Sequence, residues 1–153
     1  MRALIVLALL APFAVQATTF SKCENGAALP ETVDVTGCDK LPCPLERGTT
    51  SLTDVKFTVP ADSATLTPQV IAKVAGLNVP YPMPPELSNA CDFLKEGSCP
   101  LKKGDKVVYN LKVPVLESYP PVSITFNLLI PNVKINEILI ILNFITTKLM
   151  IIN

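Results

Sequence analysis

Residues 107–113 read Val107-Val108-Tyr109-Asn110-Leu111-Lys112-Val113. Val107, Tyr109, Leu111 and Val113 alternate with polar Asn110 and Lys112. Period two predicts a half-buried strand, because successive Cβ atoms of an extended chain point to opposite faces of a sheet. The pattern recurs outward in both directions. Val33 and Val35 face away from Thr32 and Asp34. Leu52 to Val59 carries Val55, Phe57 and Val59 on one side, Lys56 and Thr58 on the other, and Pro60 closes it. Val70, Ala72 and Val74 alternate with Ile71 and Lys73 before Gly76, and Val122, Ile124, Phe126 and Leu128 alternate with Ser123, Thr125 and Asn127.

The spacers between these runs are rich in proline, glycine and charge. Pro80-Tyr81-Pro82-Met83-Pro84-Pro85 is not helical, because each proline lacks an N–H and biases its predecessor to extended geometry. Two readings of it stand: a stiff connector, or a rigid aromatic-bearing wall at the mouth of a cavity. Lys102-Lys103-Gly104-Asp105 reads as a turn into a strand. No stretch before residue 130 keeps a helical period. Short strands separated by turn signals predict an all-β sandwich in a single domain.

The chain has 153 residues. Residues 1–17 read as a secretory leader: Arg2 is the positive start, Ala3 to Val15 is apolar apart from Pro12, and Val15-Gln16-Ala17 suits cleavage. The run is shorter than the roughly 20 residues that span a bilayer. Loss of Arg2 leaves twelve basic residues against thirteen acidic ones. That balance gives no electrostatic case for nucleic acid or an anionic membrane surface. There is no histidine, so no Ser-His or Cys-His nucleophile pair forms and zinc loses its commonest nitrogen ligand. Carboxylate-only glycosidase chemistry is left open by this argument. No metal site, cofactor or catalytic residue is expected. The five cysteines, Cys23, Cys38, Cys43, Cys91 and Cys99, all follow the leader. Secretion favours disulfides, and the odd count leaves one thiol without a partner in the chain.

Four segments carry a likeness to a known family: Cys38-Asp39-Lys40-Leu41-Pro42-Cys43 with Arg47-Gly48; Val79 to Pro84 before Cys91; Cys99 to Gly104; and Pro114-Val115-Leu116-Glu117-Ser118-Tyr119-Pro120. In this order, behind a leader, they resemble the ML lipid-recognition family, which includes group-two mite allergens and a soluble Niemann–Pick type C sterol carrier. The insect branch is the nearest likeness, and the match covers roughly residues 20–128. The resemblance implies an immunoglobulin-like sandwich of two antiparallel sheets with a lipid held between them. It pairs Cys38 with Cys43 and Cys91 with Cys99, and leaves Cys23 without the sixth cysteine it would normally bond. Tyr81 matches an aromatic that guards the family's sterol tunnel. Pro114, Val115 and Tyr119 match its neighbours, and Val35 matches an inward valine. A further tunnel tyrosine falls near Ser51 here, which implies a wider or differently shaped pocket. Phe57, Val59, Val74, Val107, Tyr109, Ile124 and Phe126 are inward candidates from alternation alone, which does not separate pocket lining from ordinary core.

The likeness stops between Leu128 and Pro131. The domain is therefore drawn over residues 18–130, with 131–153 as an atypical apolar tail. Its isoleucine, leucine, asparagine and lysine can all be encoded by A and T alone, and Val133-Lys134 fits the start of an intron. Intron read-through is the resulting hypothesis, and a spliced message encoding the same tail would end it. Without a native last strand, such a chain would expose an unpaired sheet edge. Alternatively, Ile138 to Ile145 supplies a closing strand or short helix. Glu137, Asn143, Thr146, Thr147 and Lys148 break the run too often for a clean membrane helix.

The expected function is a secreted carrier, in the extracellular space or the lysosomal lumen. It would hold a sterol, fatty acid or other small apolar ligand, act as a monomer and touch membranes only transiently. No Asn-x-Ser/Thr sequon is present for a lysosomal glycan. The alternative is a lipid-recognising innate-immune or signalling co-receptor component. That role favours a basic rim, where the sequence offers scattered Lys102, Lys103 and Lys106. A third class, a small secreted enzyme, is argued against by the absence of histidine.

Overall fold

The computed structural model of the chain describes residues 30–39, 41–121, 123–135 and 138–152. The leader at 1–17, Cys23 and Val122 lie outside the described residues.

Among the described residues, nine strands run in chain order: β1 (Thr32–Val35), β2 (Cys43–Glu46), β3 (Thr50–Thr58), β4 (Gln69–Val74), β5 (Leu77–Tyr81), β6 (Leu94–Glu96), β7 (Lys106–Pro114), β8 (Ser123–Ile135) and β9 (Ile138–Ile152). They form two sheets, one ordered β1-β3-β7-β6 and the other β2-β9-β8-β4-β5. The architecture is the immunoglobulin-like sandwich expected from the sequence. One pair departs from a purely antiparallel plan, since β2 runs parallel to β9.

The decisive stretch behaves as its alternation predicts. In β7 every second residue from Val107 to Val113 is buried, and β3 buries Thr53, Val55 and Phe57 in the same rhythm. The two strands pair antiparallel, with Val55 opposite Tyr109 and Phe57 opposite Val107. Their inner side chains meet Val70 of β4 and Leu128 of β8 in one continuous core. Each fully buried side chain of this size contributes about 1.5–3 kcal/mol. Tyr109, Phe57, Leu66 and Leu101 are its largest fully buried members, and they fill that half of the sandwich.

Pro80–Pro85 is more than a connector, and the tail takes the closing-strand alternative. Pro80 and Tyr81 complete strand β5, which pairs only with β4 and so forms a sheet edge, where proline is tolerated. Pro85 opens a single 3₁₀ turn (Pro85–Leu87), a position where its missing N–H is no handicap. A second 3₁₀ turn spans Ala90–Phe93. The tail does not leave the sandwich short of a strand. Residues 131–135 continue β8, and β9 lies between β2 and β8, pairing with both. The β-branched isoleucines that made this stretch look foreign suit a strand with a neighbour on each side.

Candidate functional site

The interior is filled unevenly. Away from the Phe57–Tyr109 core, a smaller cluster gathers Val35, the Cys38–Cys43 disulfide, Leu45, Val115 and Ile151. Beside it lies a cavity of about 470 Å³. That falls within the roughly 300–1,000 Å³ of small-molecule sites. Its walls come from both sheets: Leu45, Ala72, Val74, Val79 and Ile151 from the five-stranded sheet, and Val113 with Pro114 from β7. Val115, Leu116, Tyr119 and Pro120 continue the second wall past the end of β7.

The cavity stays hollow for local reasons. The inner face of β4 offers only Ala72 and Val74 here, where the other half of the sandwich has Phe57 and Tyr109 to fill the gap. Pro80 and Pro82 sit on one lip, Pro114 and Pro120 on the other. None can donate a backbone hydrogen bond, so the two lips cannot zip into a continuous ladder.

The second lip is held from behind. The Gly48 N–H donates to the Val115 carbonyl at 2.7 Å, and the Val115 N–H donates to the Thr49 carbonyl at 2.8 Å. Arg47 Nη1 donates to the Tyr119 carbonyl at 3.4 Å. Gly48 has φ +76°, and a Cβ there would meet the Glu117 side chain at 3.3 Å, so glycine suits the corner on both counts. On the first lip, Tyr81 Oη donates to the Pro114 carbonyl at 3.0 Å.

No acidic or basic side chain is among the described lining residues, and the tyrosine hydroxyls are the only side-chain polar groups. Burial, with a smaller contribution from Tyr119, pushes the Tyr81 phenol up to about 12, so it is a neutral donor at ordinary pH. Such a surface offers apolar contact and a few hydroxyl or carbonyl dipoles at the mouth.

Of the residues singled out in the sequence, Val74, Tyr81, Pro114, Val115 and Tyr119 line this cavity. Val35 is buried beside it in the smaller cluster. Phe57, Val59, Val107 and Tyr109 are not lining residues; they are packed in the larger core. The side chains of Ile124 and Phe126 lie outside what is described. Ser51, half-buried on β3, does not line the cavity either.

Leu45, Ala72, Val79, Val113, Leu116 and Ile151 were missed as lining residues. Ala72 and Val113 share the parity of their chosen neighbours and could have been taken with them. Ile151 had no such signal, because it belongs to the tail. Lys102 and Lys106 are paired with Asp62 and Glu31, and neither these two nor Lys103 lines the cavity. The two expected disulfides are present, with Cys91–Cys99 packed against the larger core.

Comparison with known proteins bears on this arrangement. The family model for the ML domain matches residues 17–139. The chain is 34% identical over 125 residues to NPC intracellular cholesterol transporter 2 homolog a of Drosophila melanogaster, covering 80% of this chain and 81% of that protein. It is 30% identical over 131 residues to the mite group 2 allergen Lep d 2 of Lepidoglyphus destructor, covering 84% and 88%. A crystal structure of a Niemann-Pick type C2 protein from the Japanese carpenter ant superposes with a TM-score of 0.70 at 19% identity, over 87% of this chain and 98% of that one. At that identity the likeness is one of fold.

Proposed function

The chain belongs to the ML-domain family, and from that premise we propose that it binds and transfers a small apolar ligand, a sterol, fatty acid or similar molecule, in the cavity between its sheets. The carrying observation is the cavity itself, about 470 Å³ and walled by aliphatic, proline and tyrosine side chains. Enclosing about 300 Å² of hydrocarbon at about 25 cal/mol per Å² contributes roughly 7 kcal/mol before the costs of ordering ligand and lips. Equilibrium capture of this kind needs no catalytic group. A buried carboxylate would find no cation among the described lining residues, so a fatty acid would bind with its head at the mouth or in its neutral form.

Val79 and Leu116 are 48% and 51% exposed on opposite lips, and Leu77 is 71% exposed farther along β5. These apolar side chains support a transient contact with a membrane while the ligand passes. The reading includes secretion, to the extracellular space or the lysosomal lumen. The co-receptor alternative gains no support from the rim, where Lys102, Lys103 and Lys106 are absent.

Native mass spectrometry of the purified protein, followed by lipid extraction, tests the proposal. An adduct of apolar mass is expected, together with saturable displacement of a fluorescent sterol or fatty acid. Recovery of no such adduct, with no displacement by either probe, would overturn it.

A further inference from the structure

The two disulfides stand in different surroundings. Cys91–Cys99 joins half-buried residues beside the larger core, and neither lines the cavity. Cys38–Cys43 is buried at both residues. It runs from one sheet toward the other: Cys38 follows β1, its N–H donating to the Val35 carbonyl at 3.0 Å, and Cys43 opens β2. The bridge packs in the smaller cluster with Leu45, Val115 and Ile151, and these three line the cavity. A ligand and this bridge therefore share one wall.

Strand β2 needs the bridge more than a central strand would. It is four residues long, pairs with β9 alone and leaves through Arg47–Thr49 for the opposite sheet. Reduction begins when a thiolate reaches a sulfur. At buried sulfurs that requires the cover of Leu45, Val115 and Ile151 to part, which also spoils the surface a ligand rests on. We propose that Cys38–Cys43 is a thiol-sensitive clasp on the cavity wall: bound ligand protects it from reduction, and its reduction weakens the hold on the ligand. The two effects are one coupling free energy seen from either side, so they shift the two equilibria by the same factor. This rests on the carrier reading and adds to it a condition for unloading.

The reductant is a dithiol. One of its sulfurs, as a thiolate, bonds to a cysteine Sγ while the Sγ–Sγ bond breaks, and the departing thiolate takes up a proton. The second thiol gives up its proton, displaces the other cysteine in the same way, and the dithiol leaves as a cyclic disulfide. To test the clasp, the oxidised protein, unloaded or loaded with a fluorescent sterol or fatty acid, is exposed to dithiothreitol. It is then alkylated at intervals and mapped by peptide mass spectrometry. Loading is expected to slow the loss of Cys38–Cys43 about tenfold, within the usual range of coupling between sites. The loss of Cys91–Cys99 should change less than about twofold, well below that range. Probe fluorescence should fall with the first bridge and not with the second. Cys38→Ala combined with Cys43→Ala should bind the probe about tenfold more weakly, by the same coupling.

An unchanged loss of Cys38–Cys43 on loading overturns the clasp, as does equal slowing of both bridges, which would report general stabilisation. Retention of the probe after Cys38–Cys43 is gone overturns it too. If the double variant fails to fold, the wild-type rates decide alone. A protein that holds neither probe defeats the carrier reading by itself. Amide exchange in β2, expected to quicken in the double variant while that of Val55 and Tyr109 holds, still decides whether the bridge secures that wall.

Discussion

Phe57 and Ala72 both follow the period-two pattern, one residue in β3 and the other in β4, yet they end in different surroundings. Phe57 is fully buried in the solid core, whereas Ala72 faces the cavity. Ala72→Phe should therefore place its ring in empty space. We expect ligand affinity to fall at least tenfold with a change in thermal midpoint of only a few degrees, read by probe displacement and a melting curve. Phe57→Ala should act in the reverse sense, lowering stability by about 3–5 kcal/mol in a urea titration, because it opens a void among packed neighbours. Alternation reports which side of a strand is inward and says nothing of what stands across the gap. For that reason Phe57, Val59, Val107 and Tyr109 could not be told from Val74 in the sequence. Tyr81, Val115 and Tyr119 were legible through the family's motifs, which mark places in the fold and not merely sides.

Among the strands, β3 and β7 were the most legible because each is long, half-buried and strictly alternating. Strand β2 was not, being four residues with Pro44 at a sheet edge, and β5 was obscured by Pro80 and its exposed residues. The outer face of the β3–β7 pair carries its own polar network. Asp54 accepts hydrogen bonds from Lys95 at 2.5 Å and Asn110 at 2.6 Å. Partial burial alone would raise its pKa, but the two hydrogen bonds and the Lys95 charge outweigh it and leave the carboxyl below its ordinary range. Glu31, bonded to Thr58, and Asp62, bonded to Lys103 and Lys102, are lowered as well. A carboxyl with a lower pKa folded than unfolded stabilises the fold above its unfolded value, near 3.9 for Asp, and that contribution fades as pH falls through the folded value. Thermal midpoints should thus decline below about pH 4, and Asp54→Asn should flatten the decline. An equally steep acid limb in Asp54→Asn would show that this network is not a source of it.

The whole molecule depends on a strand that the sequence made look foreign. β9 is the partner of both β2 and β8, so its absence would strip β2 of its ladder and turn β8 into an edge. Removing residues 138–153 should give an aggregated or unfolded product, seen by size-exclusion chromatography and circular dichroism. A monodisperse truncated protein with a cooperative melt would show that the other strands suffice. In the sequence the tail stood between a foreign segment and a closing strand, because its likeness to relatives had ended and its apolar run lacks a clean period; the described strand matches the second alternative. Only the tertiary setting, with β2 and β8 on either side, gives this stretch its place in the sheet. The parallel pairing of β2 with β9 also joins Cys43 to Leu149, positions roughly a hundred residues apart. During synthesis, then, β2 emerges from the ribosome long before its partner exists. The hairpin of β4 and β5 can form early, but the sheet that roofs the cavity must wait for the last strand, leaving the nascent interior to chaperones until then.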